Sequence, residues 1–307
     1  MNRIEIKSIT KTYNKGEVLA LKDISFDVAE GELFGLIGPD GAGKTTLFRI
    51  LTTLLLPDSG TANIADYDII SDFKDIRNVI GYMPGRFSLY QDLTVEENLS
   101  FFATLFNTSI EENYHLIKDI YEHIEPFKER RAGNLSGGMK QKLALCCALI
   151  HRPKVLFLDE PTTGIDPVSR VELWDMLQKV KKEGISILVS TPYMDEAVRC
   201  DRIALIQKGK ILNIDKPINV TKNFDETLLE IKANDTYKLL KALKQYDKVK
   251  ISYAFGEYVH AIINDDTENI NLFLQKQDIG NVLINKIEPN VEDVFIYKTV
   301  IENPNYE

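Results

Sequence analysis

The chain has 307 residues, 44% of them hydrophobic and 27% charged. It can therefore bury the cores of one large and one small globular domain and is too apolar for a disordered segment. A formal net charge of -9 argues against a broad basic face, though not against a local basic patch, so nucleic acid is not expected as a partner.

Residues 3–7 and 20–28 alternate apolar and polar positions as half-buried strands do, and residues 11–20 between them read as turn and loop. "ELFGLIG" is an apolar strand running into a glycine-rich loop. "KTTLFRILTTLLL" (44–56) then has helical length before the turn cluster Pro57, Asp58, Ser59 and Gly60. From "DLTVEENLSFFATLF" to about Glu129 helical periodicity dominates, opened by Thr94 with Glu97 three residues on in a capping-box pattern. This predicts a helical subdomain over about 86–150, in which Cys146 and Cys147 are buried thiols, like Cys200, with no zinc or disulfide spacing.

The apolar runs "KVLFLDE" and "ISILVS", separated by the amphipathic "VSRVELWDMLQKVKKEG", predict parallel strands buried on both faces. "RIALIQKGKIL" predicts a hairpin across Lys208 and Gly209. After Asn219 the order becomes strand, helix, strand, strand, helix, strand, which suits a small ferredoxin-like α+β domain over 220–307 behind a first domain over 1–219. No run approaches the roughly 18 apolar residues of a membrane span, and "MNRIEIKSIT" lacks the apolar stretch of a signal peptide. Work at a membrane would require another polypeptide to hold the chain there.

Gly38, Pro39, Asp40, Gly41, Ala42, Gly43, Lys44 and Thr45 satisfy G-x-x-x-x-G-K-[ST] between a predicted strand and helix, and Thr46 follows. The glycines let backbone N–H groups converge on an anion at a helix N-terminus. In such a loop Lys44 reaches the β- and γ-phosphates of ATP and the Thr45 hydroxyl ligates Mg²⁺. Asp159 and Glu160 end an apolar run, at the carboxyl end of a buried strand where open α/β sheets bind ligands. There Asp159 serves the metal and Glu160 polarises the attacking water.

Ser136, Gly137 and Gly138 open a second glycine-rich helix start. One chain has no need of two phosphate cradles for one nucleotide. "LSGGMKQ", which includes Gln141, followed by "VLFLDEPTTGIDP" resembles the signature, magnesium strand and D-loop of ATP-binding cassette (ABC) ATPases. The resemblance covers about residues 3–215 and implies a P-loop NTPase core of RecA-like type, with a helical subdomain and an N-terminal antiparallel β part. It also implies that two cassettes pair head to tail, each ATP lying between the phosphate loop of one and the LSGG of the other. Tyr13 stands where the family stacks an aromatic ring on adenine. Asp166 stands where an acid contacts the opposite subunit, although read alone it is a helix N-cap. "KIEPNVEDVFIY" (286–297) resembles the ending of ATP-binding subunits of type-2, drug and multidrug ABC exporters, whose membrane-spanning part is a permease; read alone, it closes a fold.

Two positions depart from the family pattern. Gly85 replaces a glutamine that touches magnesium and water, and Pro192 replaces a histidine that holds the γ-phosphate. The resemblance thus implies an ATP-binding exporter subunit at the cytoplasmic face of the membrane, bound to a permease and a second cassette. Its own site is expected to be weak in turnover, and an asymmetric pair with a different cassette is favoured over a homodimer. Arg86 and Tyr193 are the neighbouring side chains that can substitute. A soluble ABC ATPase acting on ribosomes or nucleic acid, or a non-hydrolysing regulatory clamp, is the alternative.

Overall fold

A computed structural model of the chain describes residues 1–264, 267–277 and 279–302, which divide into two compact units, Met1–Pro217 and Ile218–Glu307. In the first unit β1 (Asn2–Tyr13) and β2 (Val18–Ala29) form an antiparallel pair that persists to Tyr13 opposite Val18. The expected loop over 11–20 therefore shrinks to a tight turn at Asn14–Gly16, in which Asn14 and Lys15 take left-handed φ values of 51° and 56°. β3 (Leu33–Ile37), buried throughout, leads into α1 (Lys44–Leu51). That helix is shorter than its apolar tail suggested. The Thr52 hydroxyl donates back to the Phe48 carbonyl at 2.8 Å, Thr53 turns left-handed, and the amides of Leu54 and Leu55 both return to the Arg49 carbonyl.

Ser59 and Gly60, expected in a turn, begin β4 (Ser59–Ile64), which pairs with β1 and is followed by β5 (Tyr67–Asp68), α2 (Phe73–Val79) and β6 (Ile80–Met83). The helical subdomain consists of α3 (Val95–Leu105), whose capping box at Thr94 and Glu97 forms as expected, α4 (Ile110–Tyr121) and α5 (Gly137–Leu149). Then come β7 (Val155–Asp159), α6 (Pro167–Lys182), β8 (Ser186–Thr191), β9 (Arg202–Gln207) and β10 (Lys210–Asp215), and α7 (Pro217–Lys222) starts at the last residue of this unit and otherwise belongs to the second. The main sheet runs β10-β9-β3-β8-β7-β6, all parallel except for β10, and a smaller antiparallel sheet runs β2-β1-β4-β5. This is the P-loop α/β architecture with an antiparallel N-terminal part. One core joins the two sheets: Phe26 stacks on Phe34 at 5.0 Å between centroids, and Phe48 meets Phe157 edge-on. Carbon-rich strands buried on both faces leave only their carboxyl ends for polar chemistry.

The second unit comprises β11 (Thr227–Ala233), α8 (Thr236–Leu243), β12 (Val249–Phe255), β13 (Tyr258–Ile263), α9 (Thr267–Gln275), β14 (Val282–Ile287) and α10 (Val291–Glu302). Its antiparallel sheet has the order β12-β13-β11-β14, the ferredoxin-like arrangement. The segment 286–297 supplies the end of β14 and the first turns of α10. There Asp293, fully buried, accepts from His260 Nδ1 at 2.7 Å, from the Tyr253 hydroxyl at 2.5 Å and from the Asn290 amide at 2.7 Å. Burial alone would raise the Asp293 pKa, but these hydrogen bonds outweigh it and hold the carboxyl below its ordinary range.

Candidate functional site

Gly38 and Gly43 of the phosphate loop are dictated by close packing. A Cβ at Gly38 would lie 2.1 Å from the Ile206 carbonyl oxygen, and Gly43, at φ 107°, sits where a Cβ would meet the Ala20 carbonyl oxygen at 2.6 Å. The loop is pinned at its start by the Gly38 amide, which donates to Thr191 O at 3.2 Å. Farther along, Ala42 O accepts from Gly209 N at 2.9 Å, so the β9–β10 hairpin turn buttresses the loop. Pro39 is half-buried, while Asp40 and Gly41 form the exposed tip and Ala42 is buried. Gly43 caps α1 without a side chain, leaving the first-turn amides beside Lys44, Thr45 and Thr46 uncapped by any neighbouring oxygen of that residue.

Lys44 is only 3% exposed. Its ammonium donates to Gly38 O at 2.7 Å and Pro39 O at 3.0 Å, and it pairs with Glu160 Oε1 at 3.1 Å. The structure thus brings the loop lysine and the strand-end glutamate together. Tyr13, 36% exposed, stands at the same helix start, its hydroxyl 3.3 Å from Thr46 Oγ1 and its ring at the surface.

Opposite the loop, Asp159 is buried at the end of β7 and accepts from the Ser190 hydroxyl at 2.7 Å. Glu160 leaves the strand with φ 52°, an uncommon value for a residue with a Cβ, and its amide donates to both Ser190 O (3.1 Å) and Ser190 Oγ (3.0 Å). Ser190 thereby aims both acids, a role that sequence reasoning missed; the signal was a polar residue ending an otherwise apolar buried strand. Tyr82 on β6 is pushed up to about 12 by burial and by the charge of Asp159.

Gly85 lies against this pair: a Cβ there would be 3.1 Å from Asp159 O and 3.9 Å from Asp159 Oδ2. Glycine itself offers no side chain toward Asp159, and Arg86 is exposed. Pro192 follows β8 directly. Tyr193 is engaged elsewhere, its ring 4.1 Å beneath the Arg170 guanidinium and its amide donating to Thr191 Oγ1 at 3.1 Å.

The signature residues are placed on a different neighbour. Ser136 caps α5, its Oγ accepting from Met139 N at 3.4 Å, and Gly138 is so close to α6 that a Cβ would meet Ser169 Oγ at 2.7 Å. Gly137 faces the Gly164 carbonyl, and Gln141 is half-buried one turn on. Ser169 in turn donates to Asp166 Oδ2 at 2.7 Å, while Asp166 Oδ1 accepts from the amides of Val168 and Ser169. Asp166 is therefore an N-cap, and these bonds, the Ser169 hydroxyl first, lower its pKa. Signature and Asp166 form one exposed cluster, and the phosphate loop, Tyr13, Asp159 and Glu160 form a second, more buried group.

A groove of about 530 Å³, unforeseen as a cavity, opens beside the segment after Gly85, lined by Met83, Leu89, Phe102, Phe106 and Cys147 among others. His151 closes one end, stacked on Phe106 at 3.8 Å and bonded to Ile80 O at 2.9 Å.

The chain is 36% identical over 277 residues to the doxorubicin resistance ATP-binding protein DrrA of Mycobacterium tuberculosis, covering 88% of this chain and 81% of that protein. The chain belongs to the ATP-binding proteins of ABC transporters. A Nod factor export ATP-binding protein I of Rhizobium etli is 32% identical across 97% of this chain and 94% of its own. The ABC transporter family model matches residues 21–163. The chain is also 37% identical over 297 residues to the probable multidrug ABC transporter ATP-binding protein YbhF of Escherichia coli, covering 95% of this chain but 51% of that protein, so it spans about half the length of that relative. Among solved structures, the ATP-binding subunit of an ABC transporter superimposes with a TM-score of 0.65 at 28% identity, over 72% of this chain and 92% of that one. A dimeric bacterial ABC transporter cassette gives 0.63 at 28% identity, over 69% and 98%. The first unit of this ABC protein accordingly has the fold of an ABC transporter cassette, and among the described residues no helix is long and apolar enough to cross a membrane.

Proposed function

We propose that this chain is the energising subunit of an exporter, working at the cytoplasmic face of a membrane with a permease and a second cassette, and that its own site holds ATP well but cleaves it slowly. The observation that carries this reading is the contrast between a complete phosphate loop and the bare approach to Asp159 from Gly85. In this reading ATP draws the Lys44 ammonium from Glu160 and the loop carbonyls onto its phosphates. That releases the Glu160 carboxylate to take a proton from water. Hard oxygen donors suit magnesium, and the Thr45 hydroxyl and Asp159 would hold it. Bound there, the ion neutralises phosphate charge.

With glycine at 85 and proline at 192, no side chain from either position orients water or γ-phosphate. Losing one preorganised donor of this sort costs roughly 10²- to 10³-fold in rate. Tyr193 is tied to Arg170 and does not replace the missing group. The intact Ser136, Gly137 and Gly138 complete a site belonging to a different cassette, so an asymmetric pair is favoured. The apolar groove beside Gly85 suits a short amphipathic helix of the permease.

The test is ATP turnover by the chain reconstituted with its permease and companion cassette, natural against Gly85→Gln/Pro192→His. A rise of roughly tenfold or more is expected, with a small shift of the Asp159 backbone admitting the new side chain at 85. Equal and rapid turnover in both proteins would overturn the reading.

A further inference from the structure

We infer that Glu196 is a positioning residue for ATP hydrolysis, linking the helix that begins at Asp166 to the strand end that aims Asp159 and Glu160. Glu196 follows β8 in a short 3-10 turn, Met194–Arg199, and is 4% exposed. One of its oxygens, Oε2, accepts from the Thr191 hydroxyl and from the Thr162 hydroxyl at 3.1 Å. The other, Oε1, accepts from Arg170 Nε at 3.1 Å and lies 3.0 Å from Arg170 Nη2. A buried carboxylate is tolerated when a partner charge and good hydrogen bonds surround it, and Glu196 has both.

Each partner leads to the reaction. Thr191 ends β8; its carbonyl receives the Gly38 amide, and its neighbour Ser190 holds Asp159 Oδ1 and the Glu160 amide. Thr162 lies two residues beyond Glu160. Arg170 is one turn into α6, where its amide donates to the Asp166 carbonyl at 3.0 Å. A displacement of the α6 start is therefore carried by a fork of charged hydrogen bonds to Thr191, the neighbour of the Ser190 that fixes both acids, and to Thr162, two residues past Glu160. Arg170 also receives the Tyr193 ring, so the same fork locks the segment that follows Pro192.

The chemistry of the carboxylate dictates how to cut this link. Glu196→Gln preserves shape and leaves an amide oxygen for the two threonine hydroxyls. With that oxygen on the threonines its NH₂ faces the Arg170 guanidinium, donor against donor, and with the amide turned the other way the threonine hydroxyls lose their acceptor, so the two-sided charged link is lost in either orientation, while Arg170 keeps Asp195 Oδ2 at 3.4 Å. The inference concerns hydrolysis wherever the rate is set, and its test runs in two backgrounds, the natural chain and Gly85→Gln/Pro192→His. In each, single-turnover hydrolysis of MgATP and the Kd for a fluorescent ATP analogue are measured for Glu196→Gln, Arg170→Gln and the double variant.

Misplacement of reacting groups predicts a hydrolysis rate lower by about ten- to a hundredfold, with nucleotide affinity within about twofold of the parent. The double variant, an amide–amide pair, should be no slower than the worse single one, because both open the same link. If Glu196→Gln does not fold, Arg170→Lys serves: it keeps the charge but loses the fork, and its rate should fall without loss of affinity. Unchanged rates in the folded variants, rate losses that multiply in the double variant, or rate and affinity falling together would overturn the inference. A rise in the Gly85→Gln/Pro192→His background alone bears on the slow-site reading and leaves this one to be judged by the Glu196 variants.

Discussion

The phosphate-loop side of the candidate site and the side that faces it are built to different degrees. On the first, the loop is anchored at three points: Gly38 is held to Thr191, Ala42 to Gly209, and Lys44 is gripped by two loop carbonyls and Glu160. On the second, Asp159 and Glu160 are aimed by Ser190, but the approaches from positions 85 and 192 carry no side-chain donor. In the function proposed above, this difference means that holding a nucleotide and cleaving it rest on separable sets of residues, so one can weaken while the other stays intact. Ground-state affinity draws on amides, one ammonium and a ring, whereas turnover needs groups placed for charge that develops later.

Lys44→Ala should break the complete side. Two charge-assisted contacts to phosphate are worth together about 3 kcal/mol, so affinity for MgATP is expected to fall roughly a hundredfold. Isothermal titration of the purified chain measures it, and affinity retained within a few-fold would show that the loop is not the seat of binding. A smaller effect is expected on the facing side. Ser190→Ala removes the hydroxyl that orients Asp159, and loss of such a supporting contact lowers metal affinity by about tenfold or more. The Mg²⁺ concentration giving half-maximal ATP binding should rise accordingly, while binding at saturating Mg²⁺ stays near the parent value. If the Mg²⁺ requirement did not move, Asp159 would need no help from β8.

The contiguous parts of this architecture were legible in the chain, because their physics is local. A strand, six residues and a lysine at a helix start specify a phosphate loop by themselves, and the periodicities on either side placed β3, β7 and β8. The strand–helix order of the second unit was readable for the same reason. What escaped were features made by residues far apart in sequence. Nothing near Ser190 announces a bond to Asp159, nor does Glu196 announce Arg170 and Thr162. Local patterning also misled at two junctions. The apolar "TTLLL" suggested a longer α1, but Thr52 and Thr53 turned the backbone out of the helix. The polar stretch 11–20 suggested a loop, yet pairing of β1 with β2 carried the strands through most of it. Of the departures, Gly85 and Pro192 could be seen as missing side chains, but only the structure shows Tyr193 committed to Arg170 rather than available as a substitute.

Tyr13 gives the finest test of the contrast, because it separates the ring from the hydroxyl on the binding side. The hydroxyl sits 3.3 Å from Thr46 Oγ1, a long contact at a partly exposed position, so its net worth is small. The ring, by contrast, is at the surface beside the start of α1, and stacking of a base on an aromatic face is worth about 1–3 kcal/mol. At the low end of that range, as suits a partly exposed ring, Tyr13→Ala is expected to weaken ATP binding by roughly five- to tenfold, whereas Tyr13→Phe should bind within about twofold of the parent. Competition with GTP sharpens the reading: a flat stack is tolerant of the base, so Tyr13→Ala should weaken both nucleotides by similar factors. An equal loss in the Phe and Ala variants would assign the effect to the hydroxyl and its grip on Thr46. Tyr13 would then belong to the phosphate loop's own scaffolding, and the binding side would be complete without any aromatic surface for the base.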